Sequence, residues 1–291
     1  MIVMIWNWMV ALYLFLAGLG AGAFVLAVIA GWKCPDGAKL KFTGLLIALL
    51  AVAIGTLMLM VDARAGLMHP LRFFGLLNNP SSIMMWGVVL LTVFLLVTFV
   101  ALLIQGKKKA TPKALDIVGV VLALGVAGYT GMLLGDASVA FPLWNPFLLP
   151  VLFIVSAVSA GFAAVILAGH IMHAPELEDL AFTHKTSLVL PVLEVALIAV
   201  LLMVTQSVAG SAASAAAASV AALVGGAYAA AFWVGLIAIG LVVPFVLEIA
   251  MCKNPALASG PAAMAAECCV LIGGFILRFL VIYAAVAVAA A

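Results

Sequence analysis

The sequence predicts an all-α integral membrane protein of about eight transmembrane helices, arranged as two four-helix bundles with both termini outside. Apolar residues make up 69% of the 291 positions and charged residues only 8%, against about 45–50% and about 25% in an average soluble domain. A water-soluble fold of this composition would have too few polar residues to cover its surface. The few charges also fall between apolar runs of about 20 residues, the length a helix needs to cross a hydrocarbon core of about 30 Å. Lysines, finally, gather on alternate connections and so give the chain an orientation.

Taken in order, the apolar runs predict helices near 9–31, 43–61, 83–105, 115–135, 148–170, 186–208, 226–250 and 266–287. The first is expected to be a retained helix, because Met1 to Val10 contains no Lys or Arg and the run that follows is too long for a cleaved signal core. With the N-terminus outside, the inner connections hold Lys33, Lys39, Lys41, Lys107, Lys108, Lys109, Lys113, Lys185 and Lys253, nine of the twelve basic residues. Arg64 and Arg72 fall in an outer connection and Arg278 within the eighth helix. This bias puts both termini of a multi-pass protein, in contact with membrane lipid, on the outside.

A faint internal repeat supports division into residues 1–135 and 148–291. Gly20-Ala21-Gly22 in the first helix is echoed by Ser159-Ala160-Gly161 in the fifth, and Leu59-Met60-Val61 by Leu202-Met203-Val204. Chance matches in so apolar a chain are the competing reading. Small residues at these positions serve close helix packing in either case. The four cysteines, Cys34, Cys252, Cys268 and Cys269, lack CxxC spacing and read as small apolar residues rather than cluster ligands. A formal charge of +2 is too small to suggest a nucleic-acid partner.

An ionisable group at membrane depth costs several kcal/mol unless paired or hydrated, which makes each one a candidate for function. The densest polar segment outside the spans runs from Asp62 to Ser82, where Asp62, Arg64, His69 and Arg72 alternate with Leu and Phe. It reads either as a headgroup-level lid or as a surface loop with an Asp62–Arg64 or Asp62–Arg72 ion pair. Trp6, Asn7, Trp8, Tyr13 and Tyr129 stand at the outer ends of helices one and four, as an aromatic belt would, although Tyr129 lies deep for that role and its hydroxyl needs a partner. A quinone requires an apolar cleft with a few donors for its carbonyls and a group that handles protons. Tyr129 and Asn7 could be donors, with Asp62, Arg64 and His69 as proton handlers. The set alone is not specific.

A second polar group lies in the later helices: His170, His173, His184, Glu194, Glu248 and Glu267, with Arg278. Glu194 falls about 12 Å into its predicted helix, so it should be neutral or matched, with Arg278 the nearest partner by depth. Glu194, Arg278 and Glu248 are candidates for a proton path, structural pairing being the equal alternative for Glu194 and Arg278. Glu248, Glu267 and the histidines sit near interface depth, where solvated helix-end residues are expected. No histidines face one another within the spans, so no haem is expected. His170, His173 and Glu176 lack a further ligand, and no metal site is expected.

Several stretches together resemble the NrfD/PsrC family of polysulfide reductase membrane subunits: Tyr13 to Gly22; Asp62-Ala-Arg64 with His69-Pro-Leu-Arg72; Asn79 to Ser82 with Met85-Trp86-Gly87; Gly128-Tyr129-Thr130-Gly131; Pro142-Leu-Trp144; Ser159-Ala-Gly161; and Gly273 to Arg278. They span nearly the whole chain in order. The resemblance implies an eight-helix anchor with a quinone site (menaquinone or ubiquinone) in the first bundle near the outer face, and no haem or iron–sulfur cluster in this chain. It further implies electron exchange with a four-cluster ferredoxin-like iron–sulfur subunit, and through it with a molybdopterin or multihaem catalytic subunit. Tyr129 would match the family's quinone-contacting tyrosine, and Asp62 and Arg64 the acidic and basic pair that ends helix two. Tyr13, Asn7 and Arg72 are the further cofactor-binding candidates. The family's usual Asp-Leu-Gly-Arg-Pro run is replaced here by Asp62-Ala-Arg64, with His69-Pro70 later. Two other readings compete: a two-repeat secondary transporter with Glu194 and Arg278 as its midplane site, and a passive membrane anchor. The transporter reading lacks helices broken by Gly and Pro at matching positions in both halves.

Overall fold

The computed structural model describes residues 6–34, 37–62, 81–174, 177, 182–254, 257 and 260–288, the Asp62 side chain excepted. Among these residues eight helices are long and apolar enough to cross a membrane: α1 (Trp8–Lys33), α2 (Ala38–Asp62), α3 (Ile83–Lys108), α4 (Lys113–Gly135), α5 (Leu148–Ile171), α6 (Phe182–Gln206), α8 (Ala231–Lys253) and α9 (Pro261–Tyr283). The shorter α7 (Ala213–Val224) lies between α6 and α8. At 1.5 Å per residue, spans of 23 to 26 residues reach about 35–39 Å, enough to cross a bilayer core with some tilt. The lysine-bearing end is called inner here, following the charge distribution.

Local chemistry sets several boundaries. Asn7 caps α1 by accepting from the Met9 amide at 2.7 Å, and Asn145 does the same for α5, accepting from the Phe147 and Leu148 amides at 3.0 Å each. Each satisfies amides that the first helical turn leaves without an intrahelical acceptor. Pro261 starts α9, at the one helical position where a missing N–H costs nothing. The outer half of α8 is a π-helix over Ala231–Val242, which gives way to α-helix from Val243 with Pro244 in its first turn.

Helix α1 packs against α2, α4, α5 and α9 and is the most buried span. Contacts α1–α2, α2–α3, α3–α4 and α1–α4 link the first four spans; α5–α6, α6–α8, α8–α9 and α5–α9 link the last four. Close approach between the two sets depends on glycine. A Cβ on Gly22 would lie 2.0 Å from the Ala157 carbonyl oxygen, and one on Gly161 would lie 2.2 Å from the Ala23 nitrogen. The echoed positions of the sequence thus meet face to face at the α1–α5 crossing, where small residues let backbones touch. Gly240 and Gly273 do the same between α8 and α9, a Cβ on either falling within 2.5 Å of the other's Cα.

The outer side is tied by aromatic and tail contacts. Trp144 stacks on Trp6 at 5.1 Å, packs on Phe141 at 4.2 Å and donates from Nε1 to the Val281 carbonyl at 2.7 Å. Past α9, the Val286 amide donates to Ser219 of α7 and the Val288 amide to the Ala140 carbonyl.

Candidate functional site

Two phenols form the centre of the outer site. Tyr13 of α1 is fully buried and Tyr129 of α4 is 5% exposed. The two rings are electrostatic neighbours, yet Tyr13 Oη has no hydrogen-bond partner of ordinary geometry. A buried hydroxyl without a partner costs about 1–3 kcal/mol. Tyr129 can occupy its place only because α3 carries glycine opposite: a Cβ on Gly87 would lie 1.8 Å from Tyr129 Cζ and 1.9 Å from its oxygen. Neighbouring turns of α4 are locked as well. Thr130 donates to the Ala127 carbonyl at 2.6 Å, and Gly131 lies against Pro150, where a Cβ would fall 2.5 Å from the proline nitrogen. The tyrosine pair is therefore held by α1, α3, α4 and the start of α5.

The other residues read from the sequence for this end are distributed differently. Asn7 stands exposed at the N-cap of α1, six residues outward of Tyr13, with its side-chain oxygen engaged by Met9. Asp62 is the last residue of α2. The Asp62 side chain and all of Arg64, His69 and Arg72 lie outside the described residues.

The later helices hold a seam of buried polar groups. Arg278 is fully buried; it donates through Nη1 to Ser156 Oγ and to the Gly274 carbonyl at 3.1 Å, and through Nη2 to the Phe153 carbonyl at 3.3 Å. Its guanidinium lies 4.8 Å from the Phe153 ring and against α1, since a Cβ on Gly18 would be 3.3 Å from Nη2. Glu194 of α6, 3% exposed, has Arg278 as its countercharge and Ser156 and Ser159 as polar neighbours. Glu194 Oε1 and Arg278 Nε lack partners.

Glu248 and Glu267 depart from the expectation of solvated helix ends, being 4% and 7% exposed. The cause is helix length: α8 runs on to Lys253 and α9 begins at Pro261, so both carboxylates are about one and a half turns inside their helices. His184, expected in a loop, is in the first turn of α6 and bonds through Nδ1 to Glu248. A cavity of about 20 Å3 is lined by Ser159, Ser187, Glu248 and Glu267, with Pro191 and Pro244 in its wall. Among the described residues no group of three or more His, Cys, Asp or Glu could hold a metal ion.

Sequence reading missed a polar knot at the inner ends of α1, α2 and α4. Lys41 Nζ donates to Asp116 Oδ2 at 2.8 Å and to Thr111 Oγ1 at 2.6 Å, while Trp32 Nε1 and Thr111 donate to Asp116 at 2.9 and 2.5 Å. Lys41, counted from sequence as a loop charge, is in the first turn of α2 and 3% exposed. The available signal was Asp116 itself, an acid close to the start of an apolar run.

The family described as "Polysulphide reductase, NrfD" matches residues 2–290. The C component of polysulfide reductase from Wolinella succinogenes is 34% identical, covering 96% of this chain and 94% of that protein. Protein NrfD of Escherichia coli is 29% identical, over 97% of this chain and 95% of its own length. The C component of tetrathionate reductase from Salmonella typhimurium is 32% identical over 54% of this chain and 47% of its own. With eight apolar spans among the described residues, a family match over residues 2–290 and a relative 34% identical over 96% of this chain, the chain belongs to the NrfD family of multi-pass membrane proteins.

Proposed function

We propose that this chain is the quinone-reactive membrane subunit of a multi-subunit oxidoreductase in a prokaryotic cytoplasmic membrane, exchanging electrons with an iron–sulfur partner at the outer face. The observation that carries the reading is the buried Tyr13–Tyr129 pair, two phenol hydroxyls from different helices that are each other's polar neighbour, with Tyr13 Oη making no well-aligned hydrogen bond. A quinone, menaquinone or ubiquinone, brings two carbonyl acceptors on an apolar ring and carries two electrons with two protons. Tyr129 and Tyr13 would hold one carbonyl, and the apolar ends of α1, α3 and α4 would exclude water from the ring.

The relatives named as parts of reductases support an assembly with a catalytic partner, of molybdopterin or multihaem type, reached through a four-cluster ferredoxin-like subunit. Asp62, Arg64, His69, Arg72 and Asn7 would form the headgroup-side rim. Glu194, Arg278 and Glu248 would serve proton movement in the second bundle. The test is quinone-dependent electron transfer by the purified complex. Tyr129→Phe is expected to lower it by about 10²-fold or more, the scale of a lost proton-handling group; unchanged kinetics in Tyr129→Phe and Asp62→Ala would remove the site.

A further inference from the structure

We infer that the last four spans hold a one-sided proton well, open at the inner end beside His184 and closed toward the outside, through which the quinone site exchanges its protons with the inner face. The inference rests on the quinone reading above and adds to it a direction and two residues, His184 and Glu267.

Polar groups follow one another along the seam. His184, with its side chain 43% exposed, bonds to Glu248, 5% exposed. Glu248 and Glu267 share a cavity with Ser187 and Ser159. Ser159 is in turn a neighbour of Glu194, whose other polar neighbours are Ser156 and Arg278. The cavity's 20 Å3 or so exceeds the roughly 10–15 Å3 that one water needs, and its lining supplies the polar partners such a water requires. Pro191 in the wall has no N–H to donate to the carbonyl of Ser187, four residues earlier in α6. Glu194 Oε1 and Arg278 Nε, both buried and without partners, mark the far end of the seam as made for a hydrated guest.

Beyond Arg278 the chemistry changes. A second cavity, toward the outer ends of α5, α6 and α9, is lined wholly by apolar side chains, among them Leu201, Leu223, Phe232, Leu277 and Leu280. Apolar cavities of this kind stay dry, so water-borne protons cannot pass through it. Among the described residues the polar seam ends at Arg278, which rests on Gly18 of α1, five residues inward of Tyr13 on the same helix. Arg278 keeps its charge and holds the end of the water path; Glu194 is the last carboxylate that can carry a proton. Each conversion is balanced: a quinone takes two electrons from the iron–sulfur partner and two protons from the well to give quinol, and the reverse returns both. Electrons exchanged at the outer face and protons at the inner face make turnover charge-separating.

The test uses the whole complex in sealed vesicles with its inner face toward a trapped pH-sensitive dye. Quinone turnover is expected to change pH in the trapped compartment, with at least a tenfold smaller proton rate in Glu267→Gln, on the scale of lost general acid–base transfer, and recovery in Glu267→Asp. Quinone retained by the purified Glu267→Gln complex should equal wild type. Independently of turnover, a hydrophobic carbodiimide applied to the resting complex should modify Glu267, found by peptide mass spectrometry. Proton exchange at the outer face, an unaltered proton rate in Glu267→Gln, or an unmodified Glu267 would each overturn the well while leaving the quinone site standing. Absence of quinone-dependent electron transfer in the wild-type complex would overturn both.

Discussion

The ammonium of Lys41 on α2 and the carboxylate of Asp116 on α4 are 2.8 Å apart, with side chains 4% and 1% exposed. Removing one partner leaves the other charge buried and uncompensated, which costs about 3–5 kcal/mol in such pairs. Asp116→Ala is therefore expected to lower thermal stability strongly, leaving Trp32 Nε1 without its acceptor and the Lys41 ammonium without its countercharge. The double variant Lys41→Met/Asp116→Leu should recover most of that loss. Unfolding in detergent or nanodiscs followed by circular dichroism measures both.

Gly87 and Tyr129 make a second, sharper relationship. A methyl group at residue 87 needs the space of the phenol, so Gly87→Ala should push Tyr129 aside. Misplacement by about 1 Å can cost roughly 10²-fold in rate. We expect Gly87→Ala to lose quinone-dependent electron transfer to that extent while retaining near-normal yield, measured as quinol oxidation or quinone reduction by the complex.

Tyr13→Phe separates stability from function. Its buried hydroxyl has Tyr129 as polar neighbour but makes no well-aligned hydrogen bond, and deleting it is expected to stabilise the fold by about 1 kcal/mol, part of the desolvation cost of a poorly made bond. The same deletion removes a donor from the proposed quinone site. A raised unfolding temperature together with slower turnover is the expected outcome; loss of both would mean that the hydroxyl is structural.

At the α1–α5 crossing the backbones leave no room for side chains. Gly22→Leu or Gly161→Leu should abolish folded protein in the membrane, because the added atoms meet backbone rather than a movable side chain and overpacking already costs about 1–3 kcal/mol where neighbours can shift. Gly125→Ala serves as control, since a Cβ there meets only the Leu90 side chain at 3.3 Å. Fluorescence-detected size exclusion of each variant gives the comparison.

The eight spans were legible because hydrophobicity summed over about 20 residues outweighs any local detail. Their inner ends were not. Helices α2 and α6 start at Ala38 and Phe182, several residues before the apolar run begins, because Lys41 and His184 are paired rather than hydrated; α9 starts early as well, at Pro261, a residue suited to a first helical turn. That same error of boundary made Glu248 and Glu267 look like solvent-facing residues. Pairing across long sequence distance, as between Lys41 and Asp116, has no local signature at all. Helix α7 escaped notice because its Ala- and Ser-rich stretch of 12 residues is too short to span and too weakly patterned to stand out. Tyr129, by contrast, could be singled out from sequence by depth alone: a phenol too far in for the interface implies a purpose for its hydroxyl.

The π-helical half of α8 has a consequence for how this protein can change. A π-helix closes its hydrogen bonds over one residue more than an α-helix, so fewer degrees of rotation separate successive side chains there than the roughly 100° of an α-helix. Were Ala231–Val242 to close to α geometry with its residues unchanged, every later side chain would rotate about the helix axis, and Glu248 would turn away from His184 although no residue of the cavity had been altered. The helix type of this segment acts as a dial on where the carboxylate points.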